Sequence, residues 1–421
     1  MISAALITLS ASAQSKPWTL QQCIDTALVN NRNIKQQTLD TKNKAIAYDQ
    51  ARKNLLPEVG ASVSQSFGFS RTNGTATSQN TSLGISGSMT LFNGFRLKNN
   101  IESSKADMLA SNADFEKIKN DITTNVAAVF LQVLLNKELL QIAVEQLGLT
   151  KTKIDQQKAL VTAGKMAEGE LFTLIAQESN EELSRLRAEN TLKLSFLDLA
   201  QYLEIDNFNN MDVVVPDNLS ESDLKLLAAD EVYQSALLHR PEIKGAEFRL
   251  KSSEYRLLAT KAGYYPTLGL STNLGSGYSR NSGYYFDPFG TQLSNKINAN
   301  IGLNLSIPIY DKSQTRNNVR SAELGIQSSK ISIDNAKLEL KKSIQQAYYN
   351  ALGAKTRWDA AKKSEIASRE AYRFTNQKYE NDRATVYELY QAKNNLTQVL
   401  SEEVQAKYEY FFRLKMLELL K

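Results

Sequence analysis

The chain offers little to acid–base or metal chemistry. Its 421 residues contain one histidine, His239, and one cysteine, Cys23. An apparatus built on imidazole has a single candidate base. No intrachain disulfide can form, and no Cys/His metal site of ordinary spacing exists. His239 stands just before Pro241, and proline at a first helical position is an ordinary helix start, so the histidine reads as structural. Gln21 and Gln22 precede Cys23 where a lipoprotein signal would carry small residues, so Cys23 reads as a small apolar side chain within a helix. The other candidates are charged and phenolic groups beside two turn signals. Glu170 and Glu388 each lie six residues past such a signal, at Gly164 and at Asp382. Glu168, Tyr379, Arg383 and Tyr387 lie near them. Groups of this kind act through charge and hydrogen bonding, and the chain reads as a protein that is not an enzyme and needs no cofactor.

The elements that carry these residues come in two copies. Residues 27–35 (ALVNNRNIK) match 236–244 (ALLHRPEIK), and at the same separation Pro57 meets Pro266, Gly60 meets Gly269 and Ser62 meets Ser271. After one shift, Phe92-Asn93 meets Tyr310-Asp311, Phe130 meets Tyr348, Glu170-Leu171 meets Glu388-Leu389 and Leu199 meets Leu417. A constant separation over so long a stretch indicates tandem duplication. The expected organisation is a signal peptide over 1–13, a first repeat over 14–203, a linker over 204–225 and a second repeat over 226–421. The signal reading rests on the apolar residues 2–9 and the Ala11-Ser12-Ala13 cleavage pattern, although the basic segment is missing.

Each repeat opens with an amphipathic helical stretch (about 19–55 and 226–262) and closes with a long helical one (about 94–203 and 312–421). No proline falls between 58 and 215 or after 308. Between these stretches lie alternating segments. In 297–309 (INANIGLNLSIPI) every odd position is apolar, which is the period of a strand with one apolar face. Residues 59–69, 83–91 and 268–278 alternate likewise, with Ser, Asn and Gly on the other face. Their lengths approach the 9–11 residues that a tilted strand needs to cross a bilayer. Four strands cannot close a barrel, and open edges are not tolerated in lipid, so membrane strands here require several copies of the chain. The connecting segments 71–80 and 279–296 then face outside the cell. The second carries Tyr284, Tyr285, Phe286 and Phe289, which leaves two expectations open: a cover for the pore mouth, or contact with lipid headgroups.

The long stretches show a heptad register. Val319, Ile326, Ile333 and Leu340 form one stripe, Leu324, Ile331 and Leu338 a second, and Ala322, Ser329, Ala336 and Ser343 a seam of small residues. Ile101, Met108, Phe115 and Ile122 repeat the first stripe in the first half. Two stripes and a seam imply contact on more than one side, as in a closed ring of helices. Fifty helical residues span about 75 Å, more than a globular domain needs. Each stretch turns back once, at Thr162-Ala163-Gly164 and at Asn381-Asp382.

With these features the chain resembles the TolC-type outer membrane efflux proteins. The duplication carries the resemblance, together with His239-Arg240-Pro241-Glu242-Ile243, the strand entries at Pro57 and Pro266, and Leu91-Phe92-Asn93-Gly94. The run from Tyr379 to Arg383 that leads to Glu388-Leu389 adds to it. Asp382 stands where the family often has glycine. The resemblance implies a mainly α fold with membrane β: a homotrimeric α/β-barrel channel. Four transmembrane strands per chain join one shared β-barrel, and coiled-coil helices form a periplasmic α-barrel. It implies an outer membrane channel of a tripartite efflux or type I secretion system, a passive exit duct for small molecules or polypeptides. The implied partners are a periplasmic adaptor, an inner-membrane pump of RND, ABC or MFS type, and outer membrane lipid, with no nucleic acid. It places Glu170, Glu388 and Glu168 at the periplasmic constriction and makes Tyr379, Arg383 and Tyr387 candidates for holding a gate. Adaptor docking falls on the tip turns at Gly164, Asn381 and Asp382. The alternatives are a periplasmic adaptor or a coiled-coil scaffold without channel activity. Against a nucleic-acid partner, 50 positive side chains are balanced by 45 negative ones, for a net charge of +5.

Overall fold

The computed structural model describes residues 17–71, 76–164, 167–206, 211–215, 226–281, 285–381 and 383–421. The signal-like segment 1–13, linker residues 207–210 and 216–225, and Asp382 lie outside the described residues.

The chain begins with α1 (Leu20–Asn30) and α2 (Arg32–Lys53), followed by β1 (Glu58–Ser70) and β2 (Ala76–Phe92). Next come α3 (Arg96–Thr162) and α4 (Glu168–Leu203). The same order then recurs: α5 (Ala229–His239), α6 (Pro241–Lys261), β3 (Thr267–Asn281), a short α7 (Phe289–Asn295), β4 (Asn298–Ser306), α8 (Gln314–Glu380) and α9 (Val386–Leu420). A capping box starts α1, with Thr19 accepting from the Gln22 amide and Gln22 reaching back. The helical stretch expected over about 19–55 is two helices that part at Asn31, whose side-chain oxygen accepts from the Asn33 amide at 2.9 Å. Asn31 does by side-chain capping what Pro241 does at the α5–α6 break, where proline's fixed φ opens the next helix.

The strands form one antiparallel sheet in the order β1-β2-β3-β4. The register sorts side chains into two faces. Ala61, Ile85, Leu274 and Ala299 lie in one row, with Met89, Leu270 and Leu303 in another row of that face. The opposite face carries Ser64 and Ser82, whose hydroxyls are 2.6 Å apart, and the row Ser86, Asn273 and Asn300. Among the described residues much of the apolar face stays open: Val63 is 74% exposed and Ile301 81%. β1 and β4 are the sheet's edges. The strand β2 starts earlier than the expected 83–91, because Thr77, Gln79 and Thr81 continue the alternation with polar residues on the apolar face. The first connection is accordingly shorter than 71–80, and residues 72–75 of it lie outside the described residues. Strand β4 stops at Ser306, near Pro308, which has no N–H for a ladder. The expected loop 279–296 is partly strand, to Asn281, and contains α7.

Contacts divide the chain into two compact units, and each draws on both halves of the sequence. One comprises 38–114 and 241–336 and holds the sheet. Its helices pack through small residues: the Ser103 and Ser252 hydroxyls are 3.0 Å apart, as are those of Ser253 and Ser329. Ala106, Ala110 and Ala113 are buried on the same face of α3 as Ser103. The other unit comprises 1–37, 115–240 and 337–421. Its main core holds Cys23, Val126, Phe130, Leu134, Leu199, Leu203, Val213 and Val404. Burial pushes the Cys23 thiol up to about 12, so it is an inert apolar filler. Val213 makes a parallel bridge to Trp18, all that the described linker contributes as strand. On α8, Val319, Ile333 and Leu340 are buried, whereas Leu324, Ile331 and Leu338 are about two-thirds exposed. The first heptad stripe is thus used within the chain and the second is left without a partner.

Candidate functional site at the helical hairpin tips

Both hairpins turn where glycine and asparagine interrupt the heptads. Helix α3 ends at Thr162, and Gly164 takes a left-handed φ of +69°, which suits a residue without Cβ. Its amide donates to the Val161 carbonyl at 2.9 Å. After α8, the Asn381 side chain donates to the Gln377 carbonyl at 2.7 Å and Asn381 is exposed. The Arg383 amide closes the turn on the Lys378 carbonyl at 2.8 Å.

The two returning helices then begin with acidic first turns. Glu388 completes a capping box: its amide donates to the Thr385 hydroxyl at 3.2 Å, and its carboxylate accepts from the Thr385 amide at 2.7 Å. The Thr385 amide, with its hydroxyl, holds the Glu388 carboxyl below the usual range. Glu170 occupies the equivalent third position of α4, but the cap residue there is Ala167, which has no oxygen to offer. Among the described residues its carboxylate has no bonded partner, and Glu168 is exposed beside it. All three carboxylates are stabilised by the positive end of a helix dipole.

Tyr379 is buried in the tip core with Ile154, Leu174, Val386, Leu389 and Tyr390. Its hydroxyl accepts from Gln157 at 2.8 Å, which ties α8 to α3, and Lys153 on α3 pairs with Glu380 at 3.2 Å. Arg383 and Tyr387 are exposed, Tyr387 by 74%. Among the described residues neither side chain has a partner.

Sequence reasoning missed the strongest polar cluster of this unit. Lys393 is buried, and its ammonium donates to the Gln146 carbonyl at 2.8 Å, to the Thr150 hydroxyl and to Glu181 at 2.9 Å. Thr150 and Gln177 also donate to Glu181, at 2.6 Å and 2.9 Å. Burial pulls the Lys393 pKa down, and the Glu181 carboxylate opposes that pull. Burial and the nearby Glu181 push the Tyr390 and Tyr372 phenols up. The available signal was Lys393 itself, a lysine within the Leu389, Leu396 and Val399 stripe.

An open sheet with one apolar face and two long helical hairpins are the parts of an outer-membrane channel subunit. The family model described as outer membrane efflux protein matches residues 23–203 and 232–419. The chain belongs to that family, whose members are transport channels rather than enzymes, and it is an efflux channel protein of the outer membrane with a periplasmic helical barrel. Members work in tripartite systems with an adaptor and an inner-membrane pump. The adaptor and scaffold alternatives fall away. The chain is 22% identical over 413 residues to the toxin and drug export protein A of Aggregatibacter actinomycetemcomitans, covering 92% of this chain and 83% of that one. It is 24% identical over 359 residues to the cation efflux system protein CusC of Escherichia coli K12, covering 80% and 73%. The fold matches a solved CusC structure with a TM-score of 0.82 at 18% identity, covering 95% of this chain and 91% of that one. It matches the Campylobacter jejuni CmeC outer membrane channel with a TM-score of 0.81 at 19% identity, covering 95% and 85%.

Proposed function

We propose that three copies of this chain pool their strands into one twelve-stranded barrel and continue as a helical tunnel. The assembly is a passive exit duct for cargo from an inner-membrane pump of RND, ABC or MFS type. The observation that carries this reading is the open sheet, with β1 and β4 as edges and an apolar face exposed on alternate residues. Lipid does not tolerate unpaired edges, and closure needs about eight strands. Two copies meet that minimum; three agree with the family resemblance. The exposed stripe of Leu324, Ile331 and Leu338 supports a ring, because it offers each copy a helix face for its neighbour. The halves 14–203 and 226–421, joined at 204–225, supply two hairpins per copy. The two relatives named above export cations in one case and toxins and drugs in the other, and a duct of this kind suits small molecules and polypeptides alike.

At the tips, Glu170 and Glu388 from three copies, with Glu168, form a carboxylate ring at the periplasmic constriction. Tyr379, Arg383 and Tyr387 hold the closed form, and the adaptor docks on the turns at Gly164, Asn381 and Asp382. Like charges in a water-filled neck focus a field that favours cations. Single-channel recording in planar bilayers tests this. Glu170→Gln with Glu388→Gln keeps the capping chemistry at position 388, since glutamine also serves a capping box. The double variant is expected to lose cation preference and block by multivalent cations. Unchanged selectivity and block would place both residues on the solvated outer face of the tips.

A further inference from the structure

Residues 285–297 of the connection between β3 and β4 are folded onto the sheet. Strand β3 outruns β4: the β3–β4 ladder ends at Gly275 opposite Asn298, while β3 continues to Asn281. Beyond that point α7 takes the place of the missing strand. The Gln292 side chain, which is 5% exposed, imitates a ladder partner. It accepts from the Ser279 amide at 3.0 Å and donates to the Ser279 carbonyl at 3.1 Å. It also donates to the Asp287 carbonyl at 2.8 Å, which fixes the chain ahead of α7. Lys296 braces the arrangement through the Gln292 oxygen at 2.6 Å and the Ser279 hydroxyl at 2.9 Å.

The strap also has a definite side. Ser276, Tyr278 and Arg280 are alternate residues of the sheet's apolar face, and each engages the strap. The Ser276 hydroxyl donates to the Leu293 carbonyl at 2.5 Å. The Tyr278 and Phe289 rings lie 5.2 Å apart, and the Arg280 guanidinium stacks 4.5 Å from the Phe286 ring centre. The strap therefore leans over the lipid-facing side, while Lys296 reaches round the strand edge to the Ser279 hydroxyl on the Ser and Asn face. Its height is also fixed. The last aliphatic row of that face holds Val63, Leu83 and Ser276; the next outward row holds Gln65, Thr81 and Tyr278. That is the level of an aromatic girdle at the membrane–water boundary. Here Tyr285 is 94% exposed and Phe289 51%. Arg280 and Lys296 stand among them, against one acid, Asp287.

We propose that this strap is a docking surface for the phosphorylated headgroup of an outer-leaflet lipid. The exposed aromatics sit at the acyl boundary, Arg280 donates to phosphate oxygens, and Lys296 at the strand edge adds a second positive charge. A guanidinium stacked on a ring keeps its edge N–H groups free, which is the geometry that suits phosphate. The inference rests on the shared-barrel reading, so it is tested on protein already shown to be trimeric in solution. The full chain in a zwitterionic detergent is offered lipid A or its dephosphorylated form, with identical acyl chains, and retention is measured by native mass spectrometry. The wild type is expected to retain the phosphorylated form at least about tenfold better. Arg280→Gln with Lys296→Gln should bring that ratio near one, and Arg280→Lys should keep most of it. Arg280→Gln alone leaves both Lys296 hydrogen bonds in place and should still lower the ratio several-fold. A wild-type ratio near one, or a ratio that Arg280→Gln leaves unchanged, would overturn the proposal. Loss of the trimer in the double variant with the lipid ratio intact would assign the strap to a neighbouring copy and overturn it as well.

Discussion

Glu388 has a structural duty beside its proposed electrostatic one. Its carboxylate caps α9 through Thr385, and its pKa is depressed below the ordinary glutamate value of 4.5. A depressed carboxyl contributes stability that is present above the unfolded pKa and lost as pH falls through the folded one. Protection of the first-turn amides of α9, relative to their intrinsic exchange rates, should therefore fall as the pH drops below about 4.5, whereas Glu388→Gln, which keeps the cap but cannot titrate, should flatten that response. An equal loss of protection in the variant would remove Glu388 as its source. Lys393 sits at the other extreme, buried with Glu181, their side chains 5% and 12% exposed. Removing one partner of such a pair leaves a buried charge and costs about 3–5 kcal/mol. Lys393→Met should lower the melting temperature sharply, and adding Glu181→Gln should restore much of it, since Thr150 and Gln177 still hold the neutral amide. A double variant no more stable than the single would mean that the network is not coupled in this way. At this scale the sequence was only partly legible. The paired glutamates stood out because duplication repeats them, while Lys393 was hidden because its partners come from α3 and α4, remote in the chain.

The elements were easier to read because their periods are strict. Unbroken alternation over 297–309 marks β4, and the heptads mark α3 and α8. The start of β2 and all of α7 were not legible, for different physical reasons. Thr77, Gln79 and Thr81 lie beyond the aliphatic band, so the strand continues after its hydrophobic signal stops. Helix α7 spans 7 residues, too short for a stripe, and is held by Gln292 rather than by its own period. The two faces of β4 give a direct test. Ile301→Arg puts a charge on the lipid side at a cost of about 2–4 kcal/mol near the bilayer centre, whereas Asn300→Arg puts the same charge on the lumen side. The amount of folded protein recovered from outer membranes should fall for the first and hold for the second. Equal recovery would mean that the apolar face does not meet lipid.

At the scale of the whole molecule, the single chain is unfinished. Its sheet has two open edges, and the stripe of Leu324, Ile331 and Leu338 on α8 is exposed. Both defects have one remedy, a ring of copies in which the edge of one sheet pairs with the next and helix faces close on their neighbours. The need for a ring was legible in the strand count, but the number of copies was not. Eight strands from two chains could close a barrel as well as twelve from three. The stoichiometry therefore separates a ring of three from the alternatives. Protein extracted from outer membranes in mild detergent should give, by native mass spectrometry, a complex of three identical chains. A stable dimer, or a monomer that stays folded in the membrane fraction, would contradict it.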